Sequence, residues 1–549
     1  MSNRIICPER PPPLTSNVIL TLAALFVVLA TMARRGWKTI RVAVAALFVL
    51  CVFLYIVDPR ITGDAGARYA RAPVWQPRHP STSLLNSLGL DEDQCHAAFP
   101  GLTRDINRTV ELGPFALKQA RNFGPLQARL KDGQVRSPRL LSMRRPPHRS
   151  RDEMQPDTRA AVHHPQRGQR RTHSRDVGGD NRPSLLPLSG HLGDHAQSRT
   201  AALHQLHRAI ITSPTPLPDT ILAVNVQDEA FSHSWSYSRP AYTAPTPGSP
   251  PVSHTFLMPH FAFWAWPLPF IGSFARAAAA VDALEARLPF ARKDPRVVWR
   301  GTKRYNSAHH PRMREDLLRA TAGRAWADVQ ELKWAGAGAG GGGGGDGAAG
   351  RRRPKGAGAG AKAEPVAANA LLIEDFCRYK YVVHTEGITY SGRFQLHQLC
   401  GSVLLTPPVA WLQHTTHLIR PLFSSHLDLG GTSERGGAGK GGWKPSEGEK
   451  KAWPTHYPPQ DANIVFVAPD WSDLEATVQW LEAHPDVAEG IARRQRELFA
   501  GGGYFSPAAE ACYWRALIRG WSKVARIEGE GWEGQEGITY ESFVMLRDR

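Results

Sequence analysis

Short apolar runs alternate with amphipathic stretches between residues 200 and 525. Residues 221–226, Arg296-Val297-Val298-Trp299, Tyr381-Val382-Val383, Val403-Leu404-Leu405 and residues 463–467 are rich in β-branched and aromatic side chains. Each is bounded by polar, Gly or Pro residues, which predicts buried strands. Helical spacing fills the gaps, over residues 200–211, 277–288, 313–322, 486–499 and 507–521. Another helix opens at Ser472-Asp473-Leu474-Glu475, a capping-box pattern, with Leu474, Val478 and Leu481 on one side. Strand and helix in alternation predict an α/β fold, a parallel sheet covered on both faces. Upstream, Leu84, Leu85, Leu88, Leu112, Phe115 and Ala116 suggest a small helical region within residues 81–130.

The periodicity breaks in four places. Two apolar runs, residues 18–32 and 42–57, flank a loop carrying Arg34, Arg35, Lys38 and Arg41. That pattern predicts an N-terminal membrane anchor of one or two spans, with everything after Asp58 on the lumenal side. Residues 61–133 follow as stem and helical region, and residues 134–198 are basic, Arg- and His-rich, and poor in apolar residues. They read as an insertion or as translated non-coding sequence with no face to bury. Residues 335–368 and 430–454 are Gly-rich and predicted to be flexible surface inserts. Neither is a phosphate loop, because no strand precedes it and no Gly-Lys-Ser/Thr closes it. Much of the excess behind the net charge of +18 over 549 residues sits between Arg136 and Arg208. Without aromatic stacking residues there, charge does not make this a nucleic-acid-binding protein. Of the six cysteines, Cys95, Cys377, Cys400 and Cys512 would face an oxidising lumen, with three full pairings open. Asn107-Arg108-Thr109 is a glycosylation sequon.

Candidate chemistry gathers at strand ends. Asp228 lies just past the strand at 221–226, where a carboxylate faces the ligand crevice, and Glu229 is its neighbour. Arg300-Gly301 ends another strand and suits contact with a diphosphate or sugar. Glu386 follows the strand Tyr381-Val382-Val383, where a carboxylate can hold ribose or sugar hydroxyls. Ser391-Gly392-Arg393-Phe394 would open a helix: Ser391 and Gly392 offer backbone donors and Arg393 a guanidinium clamp for an anion. Phe261, Phe263, Trp264 and Trp266 are close in sequence and read mainly as core.

Six motifs occur in a definite order. They are Leu217-Pro218-Asp219 with Asn225-Val226-Gln227-Asp228, the aromatic stretch 257–267, Val298-Trp299-Arg300-Gly301, the stretch 374–381, Ser391-Gly392-Arg393-Phe394, and Cys512-Tyr513-Trp514. Taken together the chain resembles the capsule-associated, Golgi-type glycosyltransferases of family 90, which include the protein O-glucosyltransferases, and most closely their fungal branch. The resemblance implies two Rossmann-like lobes of the GT-B type, residues 199–294 and a donor-binding 295–525, then a tail. It implies an inverting transfer of xylose or glucose from a UDP-sugar to a glycan or protein hydroxyl in the Golgi or endoplasmic reticulum. Asp228 would be the base; Arg300, Gly301, Glu386, Ser391, Gly392, Arg393 and Phe394 would bind the donor. No metal or other cofactor is expected, since arginines can neutralise the leaving group. His260 departs from the family, in which an acidic residue is common at that place. A catalytically inactive, glycan-binding relative is the alternative reading.

Overall fold

The computed structural model describes residues 80–117, 125–137, 192–242, 254–266, 268–334, 367–430, 443–527 and 538–545. The two N-terminal apolar runs, and most of the basic segment and of the first Gly-rich insert, lie outside them. Among the described residues no helix is long and apolar enough to cross a membrane.

The α/β class is observed, in two six-stranded sheets. The second sheet is the one the apolar runs predict. It contains β6 (Asp294–Gly301), β7 (Ala327–Glu331), β8 (Tyr379–Val383), β9 (Val403–Thr406), β10 (Pro421–Phe423) and β11 (Ile464–Phe466). All neighbours are parallel, in the order β7-β6-β8-β9-β11-β10. A parallel sheet is covered on both faces, so its strands are continuously apolar. Val297, Trp299, Tyr381, Val383, Val403, Leu405 and Val465 are buried with Leu317 of α5 (Met313–Thr321), Leu474, Val478 and Leu481 of α7 (Leu474–Ala483), and Ile491 of α8 (Pro485–Arg496).

The first sheet differs from expectation. Only β3 (Thr220–Val224), β4 (Ser234–Ser236) and β5 (Thr255–Leu257) are mutually parallel. The antiparallel hairpin β1 (Leu126–Lys131) and β2 (Gln134–Ser137) flanks them, and Ile538–Thr539 pairs beyond β2. The hairpin turns on Asp132 and Gly133 at φ 48° and 73°, the left-handed pair that a two-residue turn requires. Thus the end of the segment read as helical is strand.

Helices α1 (Glu92–Ala98), α2 (Arg104–Val110), α3 (Leu192–Ile211) and α4 (Phe274–Glu285) precede β6; α6 is Phe394–His397 and α9 is Pro507–Val524. The last of these packs on the first sheet rather than the second. Trp521 Nε1 donates to Ile221 O at 2.7 Å and Tyr513 OH to Leu257 O at 2.8 Å, while Arg515 Nε donates to Ala209 O of α3 at 2.9 Å. Its start is well made: Ser506 accepts the Ala509 N–H and Pro507 takes the first position.

The cysteine pairing is resolved as Cys95–Cys512, joining α1 to α9, and Cys377–Cys400, which brackets β8 and the loop after it. Asn107 is exposed on α2. Part of the second Gly-rich insert is ordered: Ser446 and Glu449 form a full capping box that starts the helix Glu447–Ala452.

Candidate active site

In the second sheet the chain leaves β6 for β7 on one side and returns to β8 on the other. That reversal puts a topological switch point at the carboxyl ends of β6 and β8, where open α/β sheets have their ligand crevice. Gly301 and Thr302 form one lip; His384, Thr385, Glu386 and Gly387 form the other. The lips are tied by Trp299 Nε1, which donates to Thr385 Oγ1 at 3.0 Å. The indole lies so close over Gly301 that a Cβ there would sit 2.3 Å from Trp299 Cζ2. Only glycine fits under that ring, which the Thr385 bond keeps from swinging away.

Two guanidinium groups converge here. Arg314, in the first turn of α5, donates from Nε to Glu386 O (3.1 Å) and from Nη1 to Thr302 O (2.7 Å). Arg393 donates from Nη1 to Arg300 O. Both meet carbonyl oxygens, and neither forms a salt bridge among the described residues. Burial lowers the Arg314 pKa to about 9, with the Arg393 charge adding to the effect, and burial lowers Arg393 to about 10. Two desolvated cations side by side without a counter-charge form an electrostatic trap for an anion. The same field acts on His384, whose pKa falls to about 3 through burial first and then Arg393 and Arg314. The crevice is therefore lined by neutral imidazole and by charged guanidinium.

Glu386 is buried at 2% exposure. Its Oε1 accepts the Trp411 and Ala410 N–H groups at 2.8 and 3.1 Å, while Oε2 has no hydrogen-bond partner. Burial raises its pKa to about 8 against the pull of those two donors. A raised carboxyl pKa means the folded state holds a proton that the unfolded state has lost. Stability from this group is complete below the usual carboxylate range and falls as pH rises toward 8. Glu386→Gln is expected to remove a slope of at most about 1.4 kcal/mol per pH unit from the stability profile between pH 5 and 8. Urea unfolding of both proteins across that range checks this; parallel profiles would contradict it.

The other expected site residues divide. Arg300 does not offer its guanidinium to the crevice. It is committed within the sheet, to Asp328 Oδ1 (2.8 Å), Asp328 O (2.7 Å), Trp299 O (2.9 Å) and Asn369 O (3.1 Å). Arg314, which sequence reasoning passed over, stands where that contact was expected. Its signal was its place in the first helix after β6, the βα connection that opens the crevice. The helix after Ser391 is a single turn, Phe394–His397, capped by Arg393 with no side-chain bond. A helix so short supplies little dipole. Ser391 Oγ accepts the Arg393 N–H at 3.4 Å instead. Gly392 packs against the first half of the chain: a Cβ there would lie 2.5 Å from His260 Cε1 and 2.8 Å from Trp266 Cζ3. Phe394 packs against His384 with the rings tilted and their centroids 4.2 Å apart.

Asp228 reaches the same place from the first sheet. It is exposed on the loop after β3. Asn225 shapes that loop, donating to Glu229 O (2.7 Å) and Ser236 Oγ (3.0 Å) and accepting the Gln227 N–H (3.1 Å). Tyr237 and Tyr390 both have raised hydroxyl pKa values, through burial first and then the charge of Asp228. Their rings are 6.2 Å apart, and His260 lies 4.8 and 5.2 Å from them. Asp228 thus lies within electrostatic reach of Tyr237 and Tyr390. His260 stays neutral there: burial takes its pKa to about 3, and Nδ1 accepts the Ala262 N–H at 3.1 Å. Of the aromatic group, Phe263 is core, Phe261 and Trp266 border His260, and Trp264 is exposed against His204.

Residues 191–424 match the sequence model described as glycosyl transferase family 90. The chain carries a family 90 glycosyltransferase domain. Asp228, Arg300, Arg314, Glu386 and Arg393 all fall inside the matched residues of the family 90 domain. Protein O-glucosyltransferase 1 of Rattus norvegicus and that of Homo sapiens are each 25% identical to this chain over 160 residues, 29% of this chain and 30% of theirs. The Mus musculus protein is 24% identical over the same shares. The chain thus spans about 30% of the length of these curated relatives.

Proposed function

We propose that the chain is an inverting glycosyltransferase of GT-B type that moves xylose or glucose from a UDP-sugar to a hydroxyl of a glycan or protein. One observation carries the reading: two guanidiniums, Arg314 buried and Arg393 half-buried, without carboxylate partners among the described residues at the β6–β8 crevice, with Asp228 on the loop from the first sheet. Transfer requires a base for the acceptor hydroxyl, charge compensation for the departing nucleoside diphosphate, and a fixed sugar between them. In this reading Asp228 accepts the acceptor proton as its oxygen attacks the anomeric carbon from the face opposite the leaving group. The bond from that carbon to the β-phosphate oxygen breaks, and UDP departs onto Arg314 and Arg393. Trp299 over Gly301, and His260 and Trp266 against Gly392, form the walls of the site, and Glu386 meets donor hydroxyls through its free oxygen. Charge compensation by arginine makes a metal ion unnecessary to this scheme.

Two disulfides support action in an oxidising compartment, the Golgi or endoplasmic reticulum lumen. Incubating the protein with a panel of UDP-sugars and following UDP release tests the reading. UDP-glucose or UDP-xylose is expected to turn over, and product NMR to show inverted anomeric configuration. UDP binding with no turnover on any donor would instead favour the inactive glycan-binding alternative.

A further inference from the structure

The cation pair provides for a diphosphate but leaves the rest of a nucleotide without a seat. On the loops flanking the pair, two apolar side chains stand exposed, Tyr305 after β6 and Ile388 after β8, each at 53%. Isolated apolar residues on a surface need no explanation. These two differ because the loops carrying them are fastened to one guanidinium. Arg314 Nη1 donates to Thr302 O and its Nε to Glu386 O. The Arg314 backbone N–H donates to Asn306 Oδ1 at 3.0 Å, and Asn306 Nδ2 donates to Lys303 O at 2.9 Å. Residues 302–306 are therefore pinned from inside, with Tyr305 turned outward and its phenol within electrostatic reach of Arg314. On the other lip the Gly387 N–H closes onto Tyr390 O at 3.1 Å, which leaves Ile388 exposed within the turn.

We propose that Tyr305, assisted by Ile388, is the seat of the nucleobase: the base stacks on the Tyr305 ring while the diphosphate rests on Arg314 and Arg393. The proposal rests on the diphosphate reading above and extends it to the other end of the ligand. Every base has a π-face, so a single aromatic platform adds affinity without dictating base identity. The gain to be measured is therefore that of a nucleotide over a bare diphosphate.

Calorimetric titration of the full chain with UDP and with inorganic pyrophosphate separates the two ends. Tyr305→Ala is expected to weaken UDP about tenfold, in keeping with base–aromatic stacking, and to leave pyrophosphate unchanged. Tyr305→Phe keeps the ring and is expected to bind UDP as the parent does. If Tyr305→Ala binds UDP unchanged, or loses UDP and pyrophosphate equally, the nucleobase seat is wrong. The diphosphate reading fails separately, if Arg393→Ala retains full affinity for pyrophosphate.

Discussion

Replacing Asp228 by Asn is expected to slow sugar transfer by about 10²–10⁴-fold, the usual worth of a positioned general base, and to leave UDP affinity unchanged. Asn matches Asp in shape but cannot take a proton. The loop should survive the change, because Asn225 holds it through Glu229 O, Ser236 Oγ and the Gln227 N–H. Loss of kcat with an unaltered UDP dissociation constant would separate proton transfer from binding. Glu229→Gln serves as the companion variant. A Glu229 effect as large as the Asp228 effect was expected to be, with Asp228→Asn near parental activity, would move the base to its neighbour.

The second large effect is expected at Arg393. Removing one preorganised positive group from a charge-stabilising site costs about 10²–10³-fold in rate, so Arg393→Ala should lose at least that much in kcat/KM. The sign of its effect on stability is what separates a ligand-binding role from a scaffolding one. Arg393 and Arg314 are like charges, both desolvated, and each lowers the protonation affinity of its surroundings. Deleting Arg393 relieves that repulsion at the cost of one bond to Arg300 O. The ligand-free protein should melt at the parental temperature or above it, while the stabilisation conferred by saturating UDP disappears. A scaffolding arginine would behave the opposite way, with a lower melting temperature and an intact UDP shift. Thermal melts with and without UDP distinguish the two.

How much of this was readable in the chain depended on the kind of signal. The second sheet was legible because strands buried on both faces leave unbroken apolar runs, as at Val297-Val298-Trp299 and Val403-Leu404-Leu405. The hairpin of the first sheet was not, because helical spacing in residues 84–116 was extended too far. The Asp132-Gly133 pair was the overlooked mark of a turn. Capping boxes misled in both directions. Ser472 does not cap α7: Asp473 does so with no side-chain bond to the helix, its carboxylate taken by the Ala468 N–H and by Ser424. The Ser446–Glu449 box was hidden in a stretch read as flexible. Arg300 turned into the sheet and Arg314 was overlooked because sequence shows which residue follows a strand but not which neighbour claims its side chain. Asp328, on the neighbouring strand β7, claims Arg300. Arg314 stands before Glu315 and Asp316, which on a helix surface would read as an ordinary ion-pair partner, yet Asp316 pairs with Arg312 and Arg319 instead.

The position of β11 bears on how this protein could be divided. In space it lies between β9 and β10, although in sequence it comes after both. A gene trimmed to the matched residues 191–424 would keep β10 but delete the strand that fastens it to the sheet. It would also discard α9, whose Trp521 and Tyr513 are anchored to the backbone of the other sheet, and both cysteines of the Cys95–Cys512 crosslink. The segment recognisable by descent is therefore smaller than the unit able to fold. Expression trials should retain residues 80–545, because shorter fragments would expose both sheets to aggregation.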